Sequence, residues 1–171
     1  MNFDYTQNPD SAQRADAADL IDSGAQLAEK LNRKKFQRSC VVIVALDERK
    51  TVVGVAAVKE RQRDVAEIGY LIVHPDFRRR GIAQELTRRR IVVAREIGLR
   101  LLFSTIRRDN AESIGNLRKA GFQHWGDFVS AYHATRVISW FFFPLADDVD
   151  CAAEMERRTF QLKRPPVTRR P

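Results

Sequence analysis

Three consecutive arginines precede a glycine where an apolar run gives way to a helical pattern. Arg78, Arg79 and Arg80 bring positive charge to this turn, and Gly81 and Ala83 carry too little bulk to keep a ligand away from the backbone. The first N–H groups of a helix have no partner inside the helix and favour anions. The pattern therefore predicts a polyphosphate site at the start of the helix.

Two common phosphate-binding loops are excluded by the spacing of these residues. The chain contains neither the G-x-x-x-x-G-K-[ST] of a Walker loop nor the G-x-G-x-x-G of a dinucleotide fingerprint. What remains is R-x-x-G-x-A, which follows the V-x-P of residues 73–75.

A second block, residues 110–122, reads NAESIGNLRKAGF. Asn110 suits the N-terminal cap of a helix, and Gly121 suits the left-handed residue that ends one. Phe122 then opens the next strand. The block therefore predicts a short helix followed by a strand.

Together the two blocks resemble the GNAT family of N-acetyltransferases. Its coenzyme A signature is [Q/R]-x-x-G-x-[G/A] after a strand that often ends in V-x-P, and its second block reads N-x-x-S-x-x-x-x-x-K-x-G-F. The resemblance covers roughly residues 41–143. It implies an α/β fold in which helices flank a mixed central sheet of six or seven strands and two central strands splay apart. It also implies acetyl-CoA as co-substrate and no metal.

The resemblance assigns coenzyme-binding roles to individual residues. The pantetheine arm would lie along the backbone of residues 71–73, across from residues 103–105, and the diphosphate would lie at the arginine loop and the helix start. The second block would contact the coenzyme through the start of its helix, although an asparagine there also fits a simple cap. The predicted coenzyme-binding residues are Leu71, Ile72, Val73, Arg78, Arg79, Arg80, Gly81, Ile82, Ala83, Asn110 and Ser113.

Glu67 is the predicted catalytic base, because the family often places a glutamate on this strand to take a proton from the amine, directly or through water. A solvated carboxylate paired with Arg61 or Arg63 is an equally weighted alternative, and Asp64 is the next candidate base.

The catalytic acid has no clear candidate. Many family members carry a tyrosine seven residues after the asparagine of the second block, where it reprotonates the thiolate, but here that position is Leu117. Ser113, Tyr70, Tyr132 or water would have to serve instead, and we take Ser113 as the candidate side chain.

Apolar periodicity and turn residues predict the elements that position these groups. The predicted strands are 2–7, 40–46, 51–59, 65–73, 99–105, 122–133 and 136–143, and the predicted helices are 11–31 as one helix or two, 81–97, 111–120 and 147–159. On the helix 81–97, the residues that follow an inward face are Ile82, Leu86, either Ile91 or Arg90, Val93 and Ile97, whereas Arg88 to Arg90 and Arg95 are expected to point mostly outward.

Length and composition predict one domain. With 171 residues, we expect residues 1–160 to form a single acetyltransferase domain with a variable acceptor-side region at 1–37, a core at 41–143 and a basic, disordered tail at 161–171. No stretch is long and apolar enough for a membrane span, and the N-terminus lacks the features of a signal peptide, so a cytoplasmic protein without membrane contact is expected. Two cysteines give no metal-binding spacing.

The expected function is direct acetyl transfer from acetyl-CoA to a primary amine, either a protein N-terminus or a small molecule. The formal net charge of +8 leaves open an RNA-directed acetyltransferase or toxin acting on aminoacyl-tRNA, although solubility explains the charge as well and nucleic acid is not the favoured partner. The missing tyrosine leaves open a catalytically silent acetyl-CoA-binding regulatory module. The sequence does not decide the acceptor, nor between a monomer and a homodimer.

Overall fold

Seven strands form one mixed sheet, seen in a computed structural model that describes residues 2–24, 32–131, 133 and 135–166. The strands are β1 (Asp4–Gln7), β2 (Val41–Leu46), β3 (Val52–Gln62), β4 (Val65–Val73), β5 (Leu101–Arg107), β6 (Gln123–Val129) and β7 (Val137–Pro144). The helices are α1 (Ser11–Gly24), α2 (Arg33–Gln37), α3 (Ile82–Glu96), α4 (Ala111–Lys119) and α5 (Cys151–Thr159), with a 3₁₀ turn at Pro75–Phe77. The strand order is β1-β2-β3-β4-β5-β7-β6, and β4 and β5 are parallel whereas the other neighbours are antiparallel.

Both faces of the sheet are covered because its inner strands are apolar on both sides. On β2, Val41 and Ile43 pack in the cluster that includes Leu86 of α3, whereas Val42 and Val44 pack in the cluster that includes Ala17 and its neighbours on α1. A third cluster places Met155 of α5 beside β4 and β5. The expected fold class, a mixed sheet flanked by helices, is confirmed.

The two parallel strands separate soon after they meet. Their ladder joins Val65–Glu67 to residues 101–103 and then stops. On its other side β4 carries a bulge against β3, where the register shifts and Tyr70 adopts a left-handed φ of 54°. The divergence opens a cleft in the middle of the sheet, as the splayed strands of the expected fold require.

Two sequence predictions about helices need comment. The predicted helix 11–31 is seen as α1 and is followed by the short α2, and residues 25–31 of the prediction lie outside the described residues. On α3 the prediction left Arg90 either outward or as the alternative to Ile91 on the inward face. Arg90 is 1% exposed and Ile91 is 8% exposed, so both lie inward, because Arg90 lies one turn beyond Leu86 on the helix face that packs on the sheet.

The chain beyond α5 folds back on β6. The carbonyl of Lys163 accepts a hydrogen bond from the Val129 N–H at 2.7 Å, and the guanidinium of Arg164 lies 5.4 Å from the centre of the Phe128 ring. Residues 167–171 of the expected tail lie outside the described residues. Among the helices of the described residues, none combines the length and the apolar character needed to cross a bilayer.

Candidate active site

The cleft between β4 and β5 has a volume of about 240 Å³ and brings together three of the polar site residues predicted from the sequence, Glu67, Asn110 and Ser113. Glu67 and Leu71 line it from β4, and Asn110 and Ser113 line it from the start of α4. Ser104 lies at the fork of the two strands, where its hydroxyl donates a hydrogen bond to the Ile68 carbonyl at 3.3 Å. The parallel ladder thus ends in a polar cleft with open backbone on both walls.

Glu67 lies at the last residue of the β4–β5 ladder. Its Oε1 accepts a hydrogen bond from the Thr105 hydroxyl at 2.7 Å and lies 3.0 Å from the Lys59 ammonium. The ion pair is therefore with Lys59, not with Arg61 or Arg63 as the solvated alternative supposed. The Glu67 side chain keeps 22% of its surface exposed, so a small ligand can reach the carboxylate.

Lys59 reaches Glu67 because Gly69 leaves room for its side chain. A Cβ at Gly69 would lie 2.3 Å from Lys59 Cε, closer than any real contact. The ammonium also lies 5.2 Å from the centre of the Tyr70 ring. Burial, and secondarily the charge of Glu67, raises the pKa of Tyr70 above its ordinary value of 10.0, so this phenol stays protonated over the usual assay range.

Of the three β4 residues predicted to hold the pantetheine arm, Leu71 alone has its side chain in the cleft. Ile72 points to the opposite face of the sheet, where Gly24 of α1 packs against it. A Cβ added at Gly24 would lie 1.8 Å from Ile72 Cδ1. Val73 is buried in the core, and its carbonyl accepts a hydrogen bond from Arg78 Nε at 3.2 Å. For Ile72 and Val73, only the backbone is left to contact a ligand.

The predicted phosphate loop precedes α3 with its arginines exposed. Gly81 is the N-terminal cap residue, with a φ of 81° and no side-chain hydrogen bond to the first turn. A Cβ at this position would meet nothing within 4 Å, so the space over the helix start is open. Arg80 lies 5.5 Å from the Phe77 ring, and Arg79 also adopts a left-handed φ. The uncapped N–H groups and adjacent guanidinium groups fit the diphosphate of a coenzyme.

Two other predicted residues at this helix start are limited to backbone or small contacts. Ile82 is 1% exposed and packs in the core, so only its N–H can face a ligand. Ala83 is partly buried beside it.

The start of α4 borders the same cleft. Asn110 Oδ1 accepts a hydrogen bond from the Ser113 N–H at 3.1 Å, so Asn110 is the cap of this helix, and both residues also line the cleft. Leu117, where many family members have tyrosine, is 2% exposed and lines the cleft as well. Tyr132, one of the alternative acids, lies outside the described residues.

Sequence reasoning assigned none of the three cations that line the cleft, Lys59, Arg90 and Arg107, to the site. Arg90 Nη2 donates to Thr87 Oγ1 at 2.8 Å and Nη1 donates to the Gly69 carbonyl at 3.3 Å. Helical spacing from Leu86 offered Arg90 as an alternative to Ile91 on the inward face, but its position in a run of arginines is also typical of a solvated face, and no signal assigned it to the cleft. Lys59 ends an apolar strand run, and no local signal shows that it crosses Gly69.

Metal ligands are not grouped in this site. Within residues 2–24, 32–131, 133 and 135–166, no set of three or more His, Cys, Asp or Glu side chains is arranged to hold a metal ion.

Comparison with protein families gives one match. The family model described as "Acetyltransferase (GNAT) family" matches residues 7–122, which include β4, the arginine loop, α3 and α4. A search of curated proteins found no match.

Solved structures share the fold at low sequence identity. The NatC complex bound to Gag peptide and CoA contains a chain with a TM-score of 0.75 and 19% identity, covering 85% of this chain and 100% of that one. The Salmonella typhimurium protein yncA, solved with its cofactor acetyl-CoA, has a TM-score of 0.73 and 18% identity over 87% of this chain and 97% of that one. A ribosomal-protein-alanine N-acetyltransferase from Escherichia coli has a TM-score of 0.69 and 17% identity over 88% and 98% of the two chains.

Proposed function

The chain belongs to the acetyltransferase (GNAT) family and uses acetyl-CoA, and we propose that it moves the acetyl group directly to a primary amine, with Glu67 as the base. The observation that carries this proposal is the position of the Glu67 carboxylate in the cleft where β4 and β5 part. The acceptor is a protein N-terminus or a small-molecule amine. Residues 1–160 act as one catalytic domain.

Glu67 has the contacts that a base for an amine needs. An amine attacks a thioester only in its neutral form, so a nearby group must take the proton of the ammonium. The Lys59 ammonium lies 3.0 Å from Glu67 Oε1, and the ammonium of an acceptor would approach the same carboxylate. The Thr105 hydroxyl holds the same oxygen and fixes its direction.

The coenzyme would enter along the arginine loop and the start of α3. The N–H groups after Gly81 and the guanidinium groups of Arg78 to Arg80 would hold the diphosphate. The backbone of residues 71–73 and the start of α4, at Asn110 and Ser113, would hold the pantetheine arm in the cleft. This places the thioester beside Glu67.

The acceptor would reach the cleft from the side of α1 and α2. Phe36 of α2 packs edge to face on Tyr70 at 5.3 Å, and Gly24 of α1 lies against Ile72, so these helices form the wall beside the β4 bulge. A peptide acceptor is supported by the likeness to a complex solved with a peptide and CoA. A peptide N-terminus needs only a narrow entrance because its reacting amine is at the end of the chain.

The test is a screen for CoA release with peptides that carry free or blocked N-termini, small amines and aminoacyl-tRNA. We expect turnover on at least one free primary amine and none on its blocked form. In Glu67→Gln, which keeps the shape but loses the charge, we expect kcat to fall about a hundredfold or more with little change in acetyl-CoA affinity. Glu60→Gln on β3 is the matched control, since Glu60 is exposed and paired with Arg38.

Two results would count against the proposal. Binding of acetyl-CoA without turnover on any amine would indicate the silent regulatory module. Turnover confined to aminoacyl-tRNA, with a steep dependence on salt, would indicate the RNA-directed enzyme.

A further inference from the structure

Arg90 is a buried cation at the cleft for which the described residues provide no carboxylate. Its side chain is 1% exposed, and its Nε has no hydrogen-bond partner. Its other nitrogen atoms donate to one hydroxyl, Thr87 Oγ1, and to one carbonyl, that of Gly69, at a long 3.3 Å. A buried guanidinium without a counterion is unfavourable, so this one is expected to serve an anion that arrives with a ligand.

The other cations of the cleft are already neutralised. Lys59 pairs with Glu67 at 3.0 Å, and Arg107 pairs with Asp109 at 2.6 Å and is partly exposed. The remaining titratable group that lines the cleft is the protonated Tyr70. While Glu67 is ionised, an anion that enters the cleft therefore meets Arg90 as the cation whose charge is uncompensated.

A polar network holds the guanidinium in place. Thr87 donates its proton to the Ala83 carbonyl at 2.9 Å, so its oxygen can only accept from Arg90 and from Asn116 Nδ2, which lies 2.7 Å away. Asn116 Oδ1 is buried without a partner. The network orients Arg90 but gives it no negative charge, which is the arrangement expected of a group preorganised for a charge that develops during a reaction.

The reaction of this family develops one such charge on the sulfur of coenzyme A. We propose that Arg90 is a catalytic residue that stabilises the thiolate as it leaves. In this step the amine nitrogen bonds to the acyl carbon, the C–S bond breaks with its electron pair on sulfur, and Glu67 takes the amine proton. Arg90 holds the negative sulfur by charge until a proton from water completes the thiol. The inference rests on the proposed placement of the coenzyme in the cleft.

Two further observations agree with this role. Leu117 lines the same cleft and has no hydroxyl that could protonate the sulfur, so another group must handle its charge. Burial lowers the pKa of Arg90 to about 9, which means that the empty site disfavours the cation and that an anion beside it is correspondingly favoured.

The direct test is the ionisation of bound coenzyme A, followed by the ultraviolet absorbance of its thiolate. The protein with desulfo-coenzyme A serves as the reference, so that tyrosine ionisation cancels. In the wild type we expect the bound thiol to ionise about one pH unit or more below free coenzyme A. In Arg90→Met, which keeps much of the side-chain volume, we expect ionisation at or above the pH found for free coenzyme A.

Arg88→Met is the matched control, because Arg88 lies two residues away on α3 but is exposed and paired with Glu85. It should behave as the wild type. In turnover with acetyl-CoA, Arg90→Met should lose about a hundredfold or more in kcat with little change in the KM of the amine. Arg90→Lys, which keeps the charge, should recover part of the loss.

A wrong placement of the coenzyme and a wrong role for Arg90 would give different results. Calorimetry that finds no coenzyme A binding to the wild type would overturn the placement of the coenzyme, and this inference with it. Coenzyme A that binds with the same thiol ionisation in the wild type, Arg90→Met and Arg90→Lys would overturn the role of Arg90 alone.

Discussion

The buried Arg90 guanidinium destabilises the fold but keeps a positive charge inside the cleft. Its guanidinium is buried with two hydrogen bonds and an unpartnered Nε. Replacing such a group by an apolar side chain of similar volume is commonly neutral or stabilising. We therefore expect Arg90→Met to raise the free energy of unfolding by about 1–2 kcal/mol in urea denaturation at pH 7.

The exposed Arg88→Met should change the same free energy by less than about 0.5 kcal/mol. A loss of stability in Arg90→Met would mean that the guanidinium holds α3 on β4 through Gly69, and is structural.

Asp127 on β6 gives a prediction about pH. Burial tends to raise the pKa of this carboxyl, but hydrogen bonds from Ser139 at 2.7 Å and His124 at 2.9 Å, together with the charge of Arg108, outweigh it and hold the pKa below its ordinary 3.8. A lowered folded pKa stabilises the protein above the unfolded value, and the gain is lost as pH falls through the folded value.

Asp127→Asn should therefore lower the urea midpoint at pH 7, and the difference from the wild type should vanish at a pH below the folded pKa. Asp16→Asn, at an exposed position on α1, is the control and should show no such pH dependence. A deficit that persists unchanged in acid would show that packing, not charge, is what Asp127 contributes.

For individual residues, the sequence predicted which side chains line the cleft better than it predicted their hydrogen-bond and ion-pair partners. Glu67, Asn110 and Ser113 all line the cleft, as the family pattern implied for a base and a coenzyme-contacting helix start. The Lys59 partner of Glu67 could not be found, because the two lie on neighbouring strands beside the Val58–Ile68 pair, and the register of β3 on β4 is not visible in the sequence. Arg90 could be predicted only as one of two candidates for the inward face, because a run of arginines is also typical of a solvated face.

The start of α3 is the element that a diphosphate would need. Gly81 has a φ of 81° with open space around it, and Gly98, after the other end of the helix, has a φ of 76° and equally open space. Any other residue costs about 1–2 kcal/mol in such a conformation. Gly81→Trp and Gly98→Trp should therefore lose similar stability.

Only Gly81→Trp should lose acetyl-CoA binding, because its indole would lie over the uncapped N–H groups that would hold the diphosphate. Isothermal titration of both folded variants checks this. Equal affinity for acetyl-CoA in the two would move the diphosphate away from this loop.

The elements themselves were largely predictable. The strands from β2 to β5 and helices α3 and α4 occur within two residues of their expected limits, except that β3 runs three residues further, since apolar periodicity and glycine or asparagine caps are local signals. The bulge at Tyr70 was not predicted, because a left-handed tyrosine depends on the neighbouring strands and not on its own preference. The cleft depends on this bulge and on the short β4–β5 ladder, so its presence came from the family resemblance alone.

The sheet of the whole molecule consists of two parts joined by a short ladder. Strands β1 to β4 lie on one side and β5 to β7 on the other, and only residues 65–67 pair with 101–103 between them. A ligand that fills the cleft would touch β4 on one wall and β5 and α4 on the other. It would therefore bind the two parts together.

Amide hydrogen exchange with two ligands tests this bridging. At equal multiples of their dissociation constants, coenzyme A and adenosine diphosphate add the same global stability, about 2.7 kcal/mol at a hundredfold excess. Any difference in the pattern of protection then reports where each ligand lies. We expect adenosine diphosphate to slow exchange mainly in residues 78–85, and coenzyme A to slow it also in residues 68–73 and 104–113, on both walls of the cleft. The same pattern for both ligands would mean that the pantetheine arm lies outside the cleft, and that the divergence of β4 and β5 serves another purpose.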